Sequence, residues 1–441
     1  MEILIALIII VALMVIAASK FKFHPFLSLL LAAIVMGFIG GLNETEVTNN
    51  LVDGFGKTLG SIGVIIAFGC IIGAYLEKSG GAKALANAAL KIIGSKRSVL
   101  AMNITGFIVS IPVFCDSGFI LLSPLNKAIS KRSRIPLLVL GISLAAGLYA
   151  THVFVPPTPG PLAAAAALDA DLGLVMLLGL AVAIPVSLSG YFWARYLQKK
   201  SLDIPETDTP QNEAITEKLP KTSLSLYPII IPIGLIALKS IANYPTHPFG
   251  LGMFSKAINF IGNPIVALFI GVFLAFALKP KTKEAIHFNW VASGLKEAGV
   301  IILITGAGGA FGAILRATGV GDIIGESFAN MQLGLLLPFI IAAVLKSAQG
   351  SSTVSIITTA AIIAPILSSF GLDTDLGRAL TVLSIGSGAM TVSHLNDSFF
   401  WVVAQFTEMD TPTALRSQTV STMIQGLTGI ILVMLLGWIF I

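Results

Sequence analysis

Ile111-Pro112-Val113-Phe114-Cys115-Asp116-Ser117-Gly118 interrupts the apolar segment Val99–Leu125, and how that interruption is read decides the fold. Pro112 cannot continue a helix, and a carboxylate such as Asp116 costs about 2.5–3.5 kcal/mol at bilayer centre on the insertion scale. Both flanks of the segment are basic, with Lys91, Lys96 and Arg97 before it and Lys127, Lys131, Arg132 and Arg134 after it. Short basic loops mark the cytoplasmic side of a membrane. The segment is too short for two crossings, so it is predicted to enter and leave on one side, as a re-entrant hairpin. Its polar tip then lies at membrane depth, where irregular backbone is tolerated only beside protein or a watery cavity.

The rest of the chain supports that setting. Of its 441 residues, 55% are hydrophobic and 11% charged, whereas about a quarter of a soluble domain is charged. Apolar runs such as Ile3–Ala18, Phe26–Leu42, Ile258–Leu278 and Met423–Ile441 approach the roughly 20 residues a helix needs to cross hydrocarbon. The predicted fold is all-α and integral to the membrane, with about ten full spans. The net charge of +5 resides mainly in short loops, which suits topology signals and not a nucleic-acid surface. Cys70 and Cys115 give neither a disulfide framework nor metal spacing, so no cofactor is expected. An intramembrane enzyme would need a nucleophile–base pair or metal triad, and Cys115 beside Asp116 is too thin a basis for one. Ile3–Ala18 lacks a basic leader and precedes Lys20 and Lys22, so it reads as a retained first span.

Loop charge then orders the spans. Acidic Asn43–Asp53 is expected outside, and the span Leu59–Leu76 leads back to the basic loop that precedes the hairpin. Ile135–Ala150 goes out, and Leu172–Tyr196 returns to the cytoplasmic linker 198–223. Leu224–Ala242 goes out, Ile258–Leu278 in, and Gly299–Leu315 out. Leu333–Phe370, broken at Lys346–Thr353 and ending at Asp373 and Asp375, is predicted as a second hairpin entered from outside. Leu376–Val392 and Thr419–Ile441 complete the chain, placing both termini outside the cytoplasm.

A shift of 239 positions lays Lys57 on Lys296, Gly60 on Gly299, Gly69 on Gly308, Gly73 on Gly312 and Gly80 on Gly319. The loop charges send these matched spans in opposite directions. An inverted repeat follows, with residues 53–197 (hairpin 99–125, broken helix 135–168) repeated as 292–441 (hairpin 333–370, broken helix 376–407 and the last span). Residues 1–52 and 224–291 form scaffold spans. Such repeats with discontinuous helices characterise secondary transporters, whose breaks mark the binding site.

The candidate binding residues therefore lie at four breaks. The first hairpin offers Asp116, Ser117 and Gly118, and the second offers Gln349, Gly350, Ser351, Ser352 and Thr353. The broken helices add Thr151, His152 and Thr158 in one half, and His394, Asn396 and Asp397 in the other. Ser and Thr at a helix start, with that end's free N–H groups, suit an anion such as a carboxylate. Asp116, His152, His394 and Asp397 are the candidate proton carriers. Lys346 has two readings, as counter-ion to a substrate carboxylate or as a side chain snorkelling outward.

At these residues the sequence resembles the gluconate permease family of the ion transporter superfamily. The resemblance is carried by Phe114–Phe119 with Ser123-Pro124-Leu125, and by Thr151–Pro161. It is also carried by Gly350–Thr353 with Thr358-Thr359, and by His394–Ser398 with Phe400-Trp401. It implies proton-coupled symport of gluconate or a related sugar acid across a bacterial inner membrane. It further implies a homodimer in which a transport domain slides like an elevator against a scaffold. D-serine, glycerate or fructuronate would be alternative cargo, and a cation/proton antiporter is the competing transport class.

Overall fold

The computed structural model describes residues 2–19, 21, 23–94, 97–200, 219–243, 248–250, 252–278, 286–319, 334–395 and 397–440. Among these residues every regular element is a helix. The first half comprises α1 (Glu2–Ser19), α2 (Pro25–Ile39), α3 (Glu44–Lys78), α4 (Gly81–Ile93), α5 (Ser98–Val109), α6 (Cys115–Ser133), α7 (Leu137–Phe154), α8 (Pro159–Ala167) and α9 (Leu172–Lys200). Next come α10 (Thr222–Ala242), α11 (Met253–Ile261), α12 (Pro264–Phe276) and α13 (Ile286–Ala317). The last part holds α14 (Leu336–Gln349), α15 (Ser352–Ile363), α16 (Asp375–Met390), α17 (Ser398–Phe406), the single turn α18 (Thr411–Ala414), a π-helical turn at Leu415–Thr419, and α19 (Val420–Phe440).

Several boundaries differ from those expected, each for a local reason. Asn43–Asp53 is helical, because Asn43 and Glu46 form a reciprocal capping box that starts α3 at Glu44. The basic stretch after Lys78 folds as the amphipathic helix α4, whose apolar side packs on α5 and α10. Lys127–Ser133 continues α6 and ends at Arg134, which adopts a left-handed conformation (φ 54°). Ile258–Leu278 is not one straight helix: α11 and α12 meet at 62°, where Asn263 caps a new helix begun by Pro264. Helix α7 runs through Thr151 and His152, and its break begins only at Val155. Residues 201–218 of the expected linker lie outside the described residues.

By length and apolarity, five helices among the described residues can cross a membrane, or seven with two bent pairs counted as spans. The other apolar helices, including both arms about Gly350, have 10–17 residues. The centre is closely packed: Leu137–Ala167, which holds α7 and α8, is 94% buried in its apolar window. Helix α7 is flanked by α5 and α9, and α16 by α14 and α19. The outer helices turn Leu31, Phe38, Phe192, Ile230, Phe273 and Trp438 outward. In water such a surface would be a liability, but hydrocarbon is its proper solvent.

Helix bounds recur along the chain. Helices α8 and α17 begin and end 239 residues apart, and α3 and α13 end 239 residues apart. Helices α3 and α13 pack along their lengths. Gly54 abuts Ala313, Gly309 abuts Thr58, and Gly294 abuts Ile71, so numbers rise on one helix as they fall on the other. The pair is antiparallel, and its glycines let the backbones approach closely.

Candidate functional site

Two breaks begin with a proline-led loss of helix. Pro112 interrupts α5–α6, and Pro156-Pro157, joined by a cis peptide bond, separates α7 from α8. Both Pro112 and Pro157 line a shallow apolar crevice together with Pro228, Pro232 and Ile236 of α10 and Leu268 of α12. On their inner side these peptides rest on α3, where a Cβ at Gly73 would lie 2.5 Å from the Pro112 carbonyl oxygen.

The other two breaks are polar. Gly350 joins α14 to α15 in a left-handed conformation (φ 81°), which glycine adopts without strain. Ser351 then caps α15 by accepting the Val354 N–H at 3.3 Å. Between α16 and α17 the chain is non-helical over Thr391–Leu395, and Asp397 caps α17 by accepting the Phe399 N–H at 3.1 Å.

These polar ends are tied by charge. Lys346 Nζ lies 2.6 Å from Asp397 Oδ2, with both side chains almost wholly buried (1% and 5% exposed). The same ammonium donates to the Gly350 carbonyl at 2.7 Å and sits 5.9 Å from the centre of the Tyr149 ring. Ser393 donates a hydroxyl hydrogen bond to the Asp397 carboxylate. Lys346 therefore does not snorkel: its charge is spent inside, neutralising Asp397 and closing the second hairpin's tip.

Asp116 sits in the first turn of α6 and meets the start of α17. Ser398 donates to its Oδ1 at a long 3.4 Å, and the Cys115 thiol lies 3.9 Å from its Oδ2. On the other side, α15 packs on α8, and Gly160 leaves room for Ile356 and Thr353. The N-terminal ends of α6 and α17 thus meet, as do those of α15 and α8. Each such end carries partial positive charge, with Gly160 the one N–H donor among the first three residues of α8.

The remaining candidates divide. His394 Nε2 lies 2.9 Å from the Ser347 carbonyl oxygen, so this nitrogen carries the proton. His152 is buried between Phe114 and Tyr149, with ring centroids at 5.9 and 6.5 Å, and its Nδ1 has no hydrogen-bond partner among the described residues. Thr151 and Thr158 turn their hydroxyls onto backbone carbonyls of their own segment. Gly118 faces Leu148, which a Cβ would meet at 2.8 Å, so its small size serves helix packing. Ser352 is buried, while Ser117 and Thr353 are half-buried. Asn396 and the side chain of Gln349 lie outside the described residues. Sequence reasoning singles out Ser393 and Ser398 beside His394 and Asp397 but misses Tyr149, because nothing in an apolar run foretells which charge it will face.

Comparison with known proteins agrees with this architecture. The chain is 35% identical over 444 residues to a gluconate permease of Pseudomonas aeruginosa, covering 98% of this chain and 96% of that one. It is 33% identical over 441 residues to the D-serine transporter DsdX of Escherichia coli, covering 98% of each. Among solved structures, MtrF of Neisseria gonorrhoeae, described among antimetabolite efflux pumps, shares the fold with a TM-score of 0.66 at 16% identity. That match covers 95% of this chain and 96% of MtrF. The GntP family permease model matches residues 1–439. A multi-pass helical protein with a buried lysine–aspartate pair at its helix breaks, this chain belongs to the GntP permease family.

Proposed function

We propose that the protein is a secondary transporter that moves gluconate or a similar small hydroxy acid into the cell together with protons. The observation that carries this reading is the pairing of helix N-termini, α6 with α17 at Asp116 and Ser398 and α15 with α8 at Thr353 and Gly160, linked by Lys346 between Gly350 and Asp397. Converging N–H groups and hydroxyls offer a carboxylate and several hydroxyls the partners they lose on leaving water. Relatives named for gluconate and for D-serine agree on a small carboxylate bearing a polar substituent.

The recurring helix bounds and the antiparallel α3–α13 pair support an inverted repeat whose two hairpins, α5–α6 and α14–α15, are re-entrant. The apolar crevice between the breaks and α10–α12 favours a sliding, elevator-like motion, since a dry seam loses no hydrogen bonds when it shifts. Residence in the inner membrane and a homodimeric assembly complete the proposal.

Purified protein in liposomes tests it. An imposed inward proton gradient is expected to drive accumulation of labelled gluconate, with L-idonate and D-serine as competitors. Failure to accumulate gluconate or any related hydroxy or amino acid would overturn the reading. Efflux of protons in exchange for a metal cation would favour an antiporter instead.

A further inference from the structure

We infer that Asp116 is the group that couples protons to the substrate, and that it does so by repelling the substrate anion until it is protonated. This rests on the acid-transport reading above. Four side chains are candidates, and their surroundings separate them. Asp397 is already neutralised: it holds the Lys346 ammonium at 2.6 Å, the Ser393 hydroxyl and the Phe399 N–H at 3.1 Å. A proton on Asp397 would strand Lys346 as a buried, uncompensated cation, which is costly. His394 uses its Nε2–H for the Ser347 carbonyl on α14, which leaves Nδ1 as its one site for a further proton. His152 is buried among aromatic rings, and a proton there would set a second cation near Lys346.

Asp116 differs on each count. It is half-buried, so it remains reachable from the site. Its contacts are one long hydroxyl bond at 3.4 Å and one thiol at 3.9 Å, and no cation lies within ion-pair distance among the described residues. The groups that face it are Cys115 on its own helix, Ser398 on α17, Asp397 beside that helix, Lys346 on α14 and Tyr149 on α7. Since Lys346 and Asp397 cancel, an ionised Asp116 leaves the cluster with one surplus negative charge. A substrate carboxylate arriving at the same helix N-termini meets that charge in a medium that screens it poorly. A proton on the Asp116 carboxyl removes the repulsion and turns an acceptor into a donor for the substrate. Proton and acid then bind together and leave together, which is the requirement of symport. By linkage, affinity for the acid rises as pH falls through the range in which Asp116 takes up its proton.

Binding of gluconate by purified protein and its accumulation in proteoliposomes test this, with Asp116→Asn beside the wild type. The wild type is expected to bind gluconate more tightly as pH falls. Asp116→Asn should bind with little dependence on pH between about 5 and 8, and lose proton-driven accumulation at least tenfold. An Asp116→Asn protein that keeps wild-type accumulation, or the wild-type pH dependence, overturns the inference. Should that variant not fold, two measurements still decide. Adding gluconate to weakly buffered wild-type protein should draw about one proton per bound gluconate from solution; binding without proton uptake overturns it. Ser398→Ala removes the hydroxyl that favours the ionised carboxylate, so the pH midpoint of uptake should move upward by a few tenths of a unit. A midpoint that stays put or moves down counts against Asp116. A wild-type protein that neither binds nor carries gluconate, L-idonate or D-serine would bring down the acid-transport reading itself, and this inference with it.

Discussion

The break between α7 and α8 and the break between α16 and α17 lie at matching positions of the chain but are built from different chemistry. Thr151–Thr158 is buried throughout, ends its helix with prolines and spends its hydroxyls on its own carbonyls. The sequence from Thr391 to Asp397 contains no proline, and side chains from elsewhere hold it: the Thr422 hydroxyl accepts the Ser393 N–H, Thr419 donates to the Ser393 carbonyl, and Lys346 holds the Asp397 carboxylate. One break is shaped covalently by its residues and faces an apolar crevice. The other is shaped by tertiary contacts and carries the charge. Breaks at matching positions therefore need not be equal contributors to a site.

The most severe way to break this contrast is to strip one member of the buried pair. Lys346→Met or Asp397→Asn leaves an uncompensated charge and is expected to cost about 3–5 kcal/mol. Thermal unfolding in detergent should fall sharply for each single variant and recover in the double variant, which retains no orphan charge. Equal loss in single and double variants would show that the pair is not a unit. A smaller effect is expected at Ser393→Ala, which removes a charge-assisted bond to Asp397 worth about 1.5–3 kcal/mol. On the dry side, Gly73→Ala forces a methyl group against the Pro112 carbonyl, where the backbone cannot yield as a side chain would. A loss of about 1–3 kcal/mol is expected by the same unfolding assay. Smallest should be Thr158→Val, whose hydroxyl serves only its own turn, with a cost of about 0.5–1.5 kcal/mol and uptake within about twofold of wild type. A large loss of uptake there would show that the proline-rich break binds substrate after all.

The comparison also explains where sequence reasoning succeeded. Gly350-Ser351-Ser352 reads directly as a helix stop and a new cap, because a left-handed glycine and an N-cap serine act within a few residues of themselves. The α7–α8 break was legible from its prolines, though its start was placed too early: Thr151 and His152 tolerate helix, and only Pro156 ends it. Helix α4 was misread as a loop because its lysines drew attention away from the Ala82, Leu85, Ala86 and Ala89 spacing. Lys346 stayed ambiguous, because a lysine near a helix end snorkels or pairs according to what faces it, and Asp397 lies far along the chain.

Sequence by itself determined that this chain lives in a membrane, that its apolar runs are broken at matching places in two halves, and that polar residues cluster there. Those properties follow from hydropathy, loop charge and the local chemistry of proline, glycine and serine, which act over a turn or two. Tertiary structure alone decided which carboxylate is neutralised and which is left exposed to a proton or a substrate. Electrostatic fate depends on distances between α6, α14 and α17, and no run of neighbouring residues specifies those distances.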